Sequence, residues 1–296
     1  MTFFLQQSLN GVMLGVVFAL FALGFGLVLA NMHVFHVAHE AVFAWSAVVF
    51  WACLAKLGLP VVLAFAAAIL SASILNLALY LLLIRRILGR RNRELAGFMS
   101  SLGGLMVLVE LADRYLGEQT VSVPSGVFPR AVWSIGSVRF TSVQLLVVLT
   151  TGVCFAVMYW LVERSSMGRQ IRTVAYDRQL AGIVGVDAER VTRTVFLVSG
   201  ALAGVAGSLI ALLFNVVNAG IGAAYLVTGI AVMVLGGYGS VVGTILAGLA
   251  IGLVYSLTGG YLSSSYKEVV VYVLLLAFLA VRPAGFFRAR ISEMRA

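Results

Sequence analysis

Long apolar runs alternate with short polar breaks along the chain. They can be drawn at about 9–30, 38–55, 61–84, 95–112, 141–162, 192–215, 223–237, 241–258 and 267–281. The first six and the last suit a helix that crosses a bilayer, which needs ~20 apolar residues. Gly11 to Ala30 holds only Gly, Val, Met, Leu, Phe and Ala. The pair at 223–258 differs, because Gly236-Gly237-Tyr238-Gly239-Ser240 interrupts it and each side is short. It reads either as two crossings joined by a tight turn or as a re-entrant pair of half-helices; broken helices at membrane depth occur where protein buries them or where they line a cavity. The expected fold is all-α and polytopic, one transmembrane domain over residues 1–296 with nine crossings or seven plus a re-entrant pair. Pro60, Pro124, Pro129 and Pro283 all fall at boundaries or loops, which supports these divisions.

Composition agrees. The chain is 62% hydrophobic and 10% charged, and a soluble domain would carry roughly a quarter charged residues. The net charge of +9 does not point to nucleic acid, since the bases sit in short loops between apolar runs. Fifteen arginines fall in 85–93, 163–193 and the C-terminal tail, whereas Lys56, Arg114, Arg130, Arg139 and Lys267 fall on the other side. The positive-inside rule then places the C-terminus in the cytoplasm and the N-terminus outside. The first base is Lys56, so no charged n-region precedes the first run, which is expected to stay in the mature protein. Cys53 and Cys154 lie inside apolar runs and read as small buried hydrophobes.

Two connections are too long to be turns. Residues 113–140 form an outer, periplasmic loop, in which β-prone runs around a Gly-containing turn (Trp133 to Phe140) predict a small hairpin. Residues 163–191 form a cytoplasmic loop. Ser166-Met167-Gly168-Arg169 leads into a helix-compatible stretch from Ile171 to Gly182, a second break follows at Gly185, and Asp187 is placed to cap the next helix. A short amphipathic helix there suits docking into a groove on a cytoplasmic protein, though a solvated basic connector fits as well.

Small residues recur four apart: Gly200 and Gly204, Ala203 and Gly207, Gly239, Gly243 and Ala247, Gly248 and Gly252. That pattern lets helix backbones approach closely in lipid. Glu40 and Glu110 are acids within apolar runs, each near an end of its run, and intramembrane acids are costly enough to be candidates for function. His33, His36 and His39 precede Glu40 at three-residue spacing. Imidazole with carboxylate is legitimate metal chemistry, but the i, i+4 spacing is missing, and polar lining of a pathway is the preferred reading. No G-x-x-x-x-G-K-[ST] loop is present, and no nucleophile–base pair, so an enzyme is not expected.

Ser166-Met167-Gly168-Arg169 with Arg172, Ala175, Asp177, Ala181 and Gly185 resembles the permease subunits of branched-chain amino acid ABC importers, a group that also includes urea and short-amide importers. Ser199 to Gly207, Gly236 to Gly243, Arg282 to Phe286 and the opening Asn10-Gly11 with Ala19 to Gly24 extend the match in order along the chain. Asp177 points to the shorter of two paralogous permease types. The resemblance implies an inner-membrane permease whose coupling loop comprises Gly168, Arg169, Arg172, Ala175, Asp177, Ala181 and Gly185. It implies a paralogous permease partner (a heterodimer, with a homodimer as alternative), two ATP-binding subunits holding ATP and Mg, and an external solute-binding protein. No cofactor or metal is expected on this chain itself. The implied solute pathway involves His36, His39, Glu40, Ser46, Asn215, Thr228, Gly236, Gly237, Gly239 and Ser240. Here the chain departs from the family, which shows Asn-x-Ala-His-Gly-Glu where this sequence has His36-Val37-Ala38-His39-Glu40-Ala41. Ser46 replaces a common Gly, Thr228 a common Lys, and Asn215 to Gly220 lacks the usual Pro. A hydrophobic amino acid is the leading substrate expectation, a small polar solute such as urea the second. An ATP-independent channel or carrier is the alternative of another class.

Overall fold

The computed structural model describes residues 2–87, 92–124, 126–129, 131–135, 138–237 and 239–281. Arg90, Arg91, Arg130, Gly136, Ser137, Tyr238 and the whole tail from Arg282, with its expected Arg282 to Phe286 motif, lie outside the described residues.

Apolar sequence becomes helix nearly throughout. The elements are α1 (Thr2–Met32), α2 (His39–Ala55), α3 (Val61–Leu79), α4 (Arg93–Leu116), β1 (Val132–Ile135), β2 (Val138–Thr141), α5 (Ser142–Tyr159), α6 (Ser166–Tyr176), α7 (Arg178–Ile183), α8 (Ala188–Phe214), α9 (Ala223–Gly236), α10 (Val241–Tyr261) and α11 (Lys267–Val281). Single π turns extend α3 (Tyr80–Ile84) and α5 (Trp160–Arg164), and a 3-10 turn, Ala219–Gly222, leads into α9. Among the described residues, eight helical stretches are long and apolar enough to cross a membrane, and α2 is a shorter ninth. The chain is an all-α multi-pass membrane protein.

The most enclosed helices are α1 and α8, 89% and 83% buried over their apolar windows, while α11 is 6% buried. Lipid tails are as apolar as leucine, so a peripheral helix needs no covering, and close backbone packing must hold the centre. Gly11 and Gly15 of α1 lie on Gly252 and Gly248 of α10 with no room for a methyl group. Gly200 and Gly204 of α8 press on α3 at Ala72 and Ile69, and Gly207 presses on α2 at Phe43. The small-residue spacing thus marks real helix contacts, with one correction: Gly239 sits in the turn before α10 at φ +83°, so that run begins at Gly243.

α10 lies antiparallel to α1 from end to end, with Gly260 beside Gln7, Gly252 beside Gly11 and Gly248 beside Gly15 and Ala19. It is a full crossing. α9 runs the other way along α1, placing Tyr225 on Phe18 and Gly229 on Phe21. The turn at 236–240 therefore joins α9, which starts at mid-depth, to the full crossing α10, and the irregular backbone ahead of α9 completes the crossing that ends in it. Asn215 ends α8 in the left-handed region at φ 58°, Val217 pairs with Val121 of the connection between α4 and β1, and residues 218–222 then lead back into the protein to the start of α9.

The second irregular stretch is 33–38. His33, also left-handed at φ 58°, ends the approach from α1, and the chain turns back until the His39 ring packs on Phe21 and Gly24. Backbone groups at such depth must be satisfied internally. His39 N–H donates to the His36 carbonyl at 3.1 Å, Glu40 N–H to the Val37 carbonyl at 3.1 Å, and Ala38 N–H to Ser101 Oγ at 2.9 Å. Both α2 and α9 therefore start inside the protein.

The connections are shorter than the sequence indicated, because helices run past the apolar runs. α4 continues to Leu116 and α5 starts at Ser142, so 113–140 contracts to 117–141, in which β1 and β2 pair antiparallel as the expected hairpin. The 163–191 loop contracts to 165–187. Its expected single helix is two, since Asp177 is extended (φ −155°, ψ 119°) and its carboxylate accepts from Gln179 N and Leu180 N, starting α7 afresh.

Candidate functional site

Two polar regions stand out, one at the arginine-rich end and one in the interior. At the arginine-rich end, Ser165 caps α6 by accepting from Gly168 N at 3.1 Å. A Cβ at Gly168 would strike the carbonyls of Leu161 and Val162, so only glycine lets α6 lie against the end of α5. Arg172 Nη1 donates to the Val162 carbonyl at 2.5 Å, while Arg169 is exposed. Ile171, Val174 and Ala175 form the buried face of α6, and Ala181 is the buried residue of α7. Gly185 takes φ +79° in the turn that follows, and Asp187 caps α8 through Glu189 N and Arg190 N. Leu180, Ile183 and Val184 are left 49%, 80% and 68% exposed.

Beside this surface lies a cluster that sequence reasoning missed. Glu189 Oε1 meets Arg85 Nε at 3.0 Å and Arg193 Nε at 3.1 Å. Its Oε2 accepts from Tyr80 OH at 2.7 Å and from Arg178 Nη2 at 3.4 Å. Arg178 Nη1 donates to Thr192 Oγ1 at 3.2 Å, and Thr192 in turn bonds Asn31 Oδ1 at 3.0 Å. One carboxylate so ties α7 to the ends of α3 and α8, and through Thr192 to α1. The Glu189–Arg193 pair was legible as i, i+4 spacing; Tyr80 and Arg85, a hundred residues away, had no signal.

In the interior, Asn76 Nδ2 donates to the Phe196 carbonyl at 2.8 Å, which fixes the amide so that its Oδ1 faces His36 Nε2 at 2.8 Å. That arrangement assigns the proton of a neutral imidazole to Nε2 and leaves Nδ1 to accept from Ser101 Oγ at 3.2 Å. Ser199 Oγ lies 3.3 Å from His39 Nδ1, and the His39 ring packs on Phe21 at 5.0 Å between centroids. These bonds pin the start of α2 to α3, α4 and α8. Among the described residues no three His, Cys, Asp or Glu side chains gather as a metal site, and His33 lies apart with Asn31, Arg93 and Asp177 around a polar pocket.

The ten expected pathway residues do not converge on one cavity. Ser46 is buried and bonds the Phe43 and Ala203 carbonyls at 2.7 and 3.2 Å, and Thr228 bonds the Ala224 carbonyl at 2.9 Å. Asn215 lies at the far end of α8. Gly236 packs on Gly243 and Thr244, Gly237 turns the chain at φ +89°, and Ser240 caps α10 through Gly243 N. Of these residues, Gly239 and Ser240 line a cavity of about 150 Å³ that also touches Gly26, Met158, Arg172 and Met233. It joins the 237–240 turn to α6. Glu110 is exposed and paired with Arg114 at 2.8 Å. Glu40 is 7% exposed, its Cγ set against Gly222.

The sequence and fold have known counterparts. Residues 7–279 match the model of the family described as branched-chain amino acid transport system / permease component. The high-affinity branched-chain amino acid transport system permease protein LivH of Escherichia coli (strain K12) is 30% identical, over 96% of this chain and 95% of LivH. BraD of Pseudomonas aeruginosa, of the same description, is 28% identical over 95% of each chain. The autoinducer 2 import system permease protein LsrD of Salmonella paratyphi B is 25% identical over 57% of this chain and 52% of its own. In fold, a chain of PsaBC from Streptococcus pneumoniae in complex with Fab superposes with a TM-score of 0.51 at 15% identity, over 99% of this chain and 94% of that one. With the match running through α1, the α6–α7 connection and nearly the whole of α11, this chain belongs to the family of branched-chain amino acid transport permeases, the membrane subunits of ABC importers.

Proposed function

We propose that this chain is one of two permease subunits of an ATP-driven importer for a hydrophobic or branched-chain amino acid. It lies in the bacterial inner membrane with its N-terminus outside and the arginine-rich end in the cytoplasm. The observation that carries this reading is α7. It offers Leu180 and Ile183, followed by Val184, to the surface among arginines, at the end of the molecule that bears most of the described bases. An apolar patch outside the lipid-facing belt suits a groove on a partner protein. That partner is an ATP-binding subunit, and ATP and Mg²⁺ reside there, since this sequence has no phosphate-cradling loop. The residues from Gly168 to Gly185 hold α6 and α7 in place for this docking. A paralogous permease completes the pathway, and an external solute-binding protein delivers the solute. The substrate class follows from LivH and BraD, whose names specify branched-chain amino acids.

Co-purification tests the docking. The ATP-binding subunit is expected to accompany the wild-type chain, and Ile183→Asp, at a site too exposed to matter for folding, is expected to release it. Retention by the variant would overturn the assignment of α7. Solute flux in liposomes from this chain alone, insensitive to vanadate, would replace the importer with a channel or carrier.

A further inference from the structure

Glu40 is the one buried carboxylate among the described residues, and it forms no hydrogen bond or ion pair there. Nearby, His36 has Asn76 and Ser101, Ser46 has two carbonyls, and His39 has Ser199 at Nδ1 but no partner at its buried Nε2. His39, its neighbour in sequence, faces away into Phe21 and Gly24. An ionisable group left unpaired at this depth is costly, and such groups mark solute or ion paths.

Its position adds the second observation. Glu40 is in the first turn of α2, which starts inside the protein. Across from it stands the start of α9, whose N-cap is Gly222. A Cβ on Gly222 would lie 2.5 Å from Glu40 Cγ and 2.6 Å from the Glu40 carbonyl oxygen, so the two helix starts touch backbone to backbone. Discontinuous helices that meet at membrane depth build midplane binding sites in transporters, and the two helix N-termini here favour negative charge, which suits an ionised Glu40 carboxylate. A carboxylate can only accept hydrogen bonds, and an ammonium group can only donate them. Their charges match as well.

We propose that Glu40, where the starts of α2 and α9 meet, binds the ammonium group of the transported solute. This rests on the import reading given above and deepens it. A neutral amide or urea offers N–H donors but no charge, and it leaves the carboxylate uncompensated. The site therefore selects amines over amides within the membrane, apart from any selection by the solute-binding protein.

Two measurements test this. Dicyclohexylcarbodiimide, an apolar reagent for carboxyl groups, is expected to label Glu40 in the purified, assembled transporter, as read by mass spectrometry. Leucine at about ten times its half-saturating concentration is expected to slow labelling about tenfold; methylammonium protects too, and N-acetylleucine does not. In the assembled transporter, Glu40→Gln is expected to raise the half-saturating leucine concentration about tenfold, as loss of a charge-assisted bond would, and Glu40→Asp to raise it less. The affinity of the separate binding protein for leucine stays unchanged. Absent labelling, equal protection by leucine and N-acetylleucine, or leucine uptake by Glu40→Gln within about twofold of wild type would each overturn the proposal. Normal uptake by Glu40→Gln leaves the import reading intact, whereas protection by methylammonium without amino-acid uptake by the wild-type assembly sinks that reading and leaves the site.

Discussion

Glu189 and Glu40 occupy the same place in their helices, the second residue of α8 and of α2. Around Glu189, three guanidiniums and a tyrosine hydroxyl converge from three segments. Around Glu40, apolar helix and a glycine close in, and no base among the described residues reaches it. The difference is one of solvent. At the arginine-rich end water shares the cost of gathering charges, so long side chains can tie several helices to one carboxylate. In the interior a lysine or arginine would be as costly as the acid itself. A carboxylate there is kept without a resident partner, which frees it for a visiting one.

Three substitutions break or sharpen this contrast. The largest effect is expected at the interior junction. Gly222→Val should drive the starts of α2 and α9 apart, costing about 1–3 kcal/mol by overpacking, and reduce uptake to background. Thermal melting and uptake check this against Gly152→Ala, which has open space around it and should change neither. Next, Glu189→Ala should cost about 1–2 kcal/mol, discounted because Arg85 and Arg193 are about half exposed. Here the melting difference should shrink in high salt, which screens exposed pairs, whereas the Gly222→Val loss should not. The smallest effect is at Asp177. Asp177→Ala removes the α7 cap and should cost about 1 kcal/mol, while Asp177→Asn, an equally good cap, should cost almost nothing. A measurable loss in Asp177→Asn would mean that the charge, and not the cap, is what α7 uses.

Much of the helical plan was legible. Lys267–Val281 and the start of α9 at Ala223 agree with the apolar runs to the residue, and Asp187 caps α8 as its position indicated. The helices α4 and α8 overran their runs because polar residues at the lipid boundary, such as Arg93 and Glu189, remain helical although they are not apolar. The placement of the broken backbone was not legible. Gly236 to Ser240 carries every sequence sign of a break, yet it is the turn between the end of α9 and the start of α10; the helices that start at depth are entered through 33–38 and 215–222. There the helices end through left-handed His33 and Asn215, neither of them a glycine. The partners that pin His36 and His39, namely Asn76, Ser101 and Ser199, lie on three other helices and follow no local spacing.

What the sequence determined by itself was the solvent of each segment, because transfer from water to lipid depends on the residues of that segment alone. Crossing number to within the ambiguous pair, the arginine-rich end, the helix caps and the glycines of close contact all follow from this local chemistry. What only the tertiary structure decided was which polar groups find partners. Pairing depends on segments brought together across 40 to 160 residues of chain, as with His36 and Asn76 or His39 and Ser199. Glu40 and Glu110 looked alike as acids in apolar runs; folding put one beside Arg114 at the surface and the other against Gly222 in the interior.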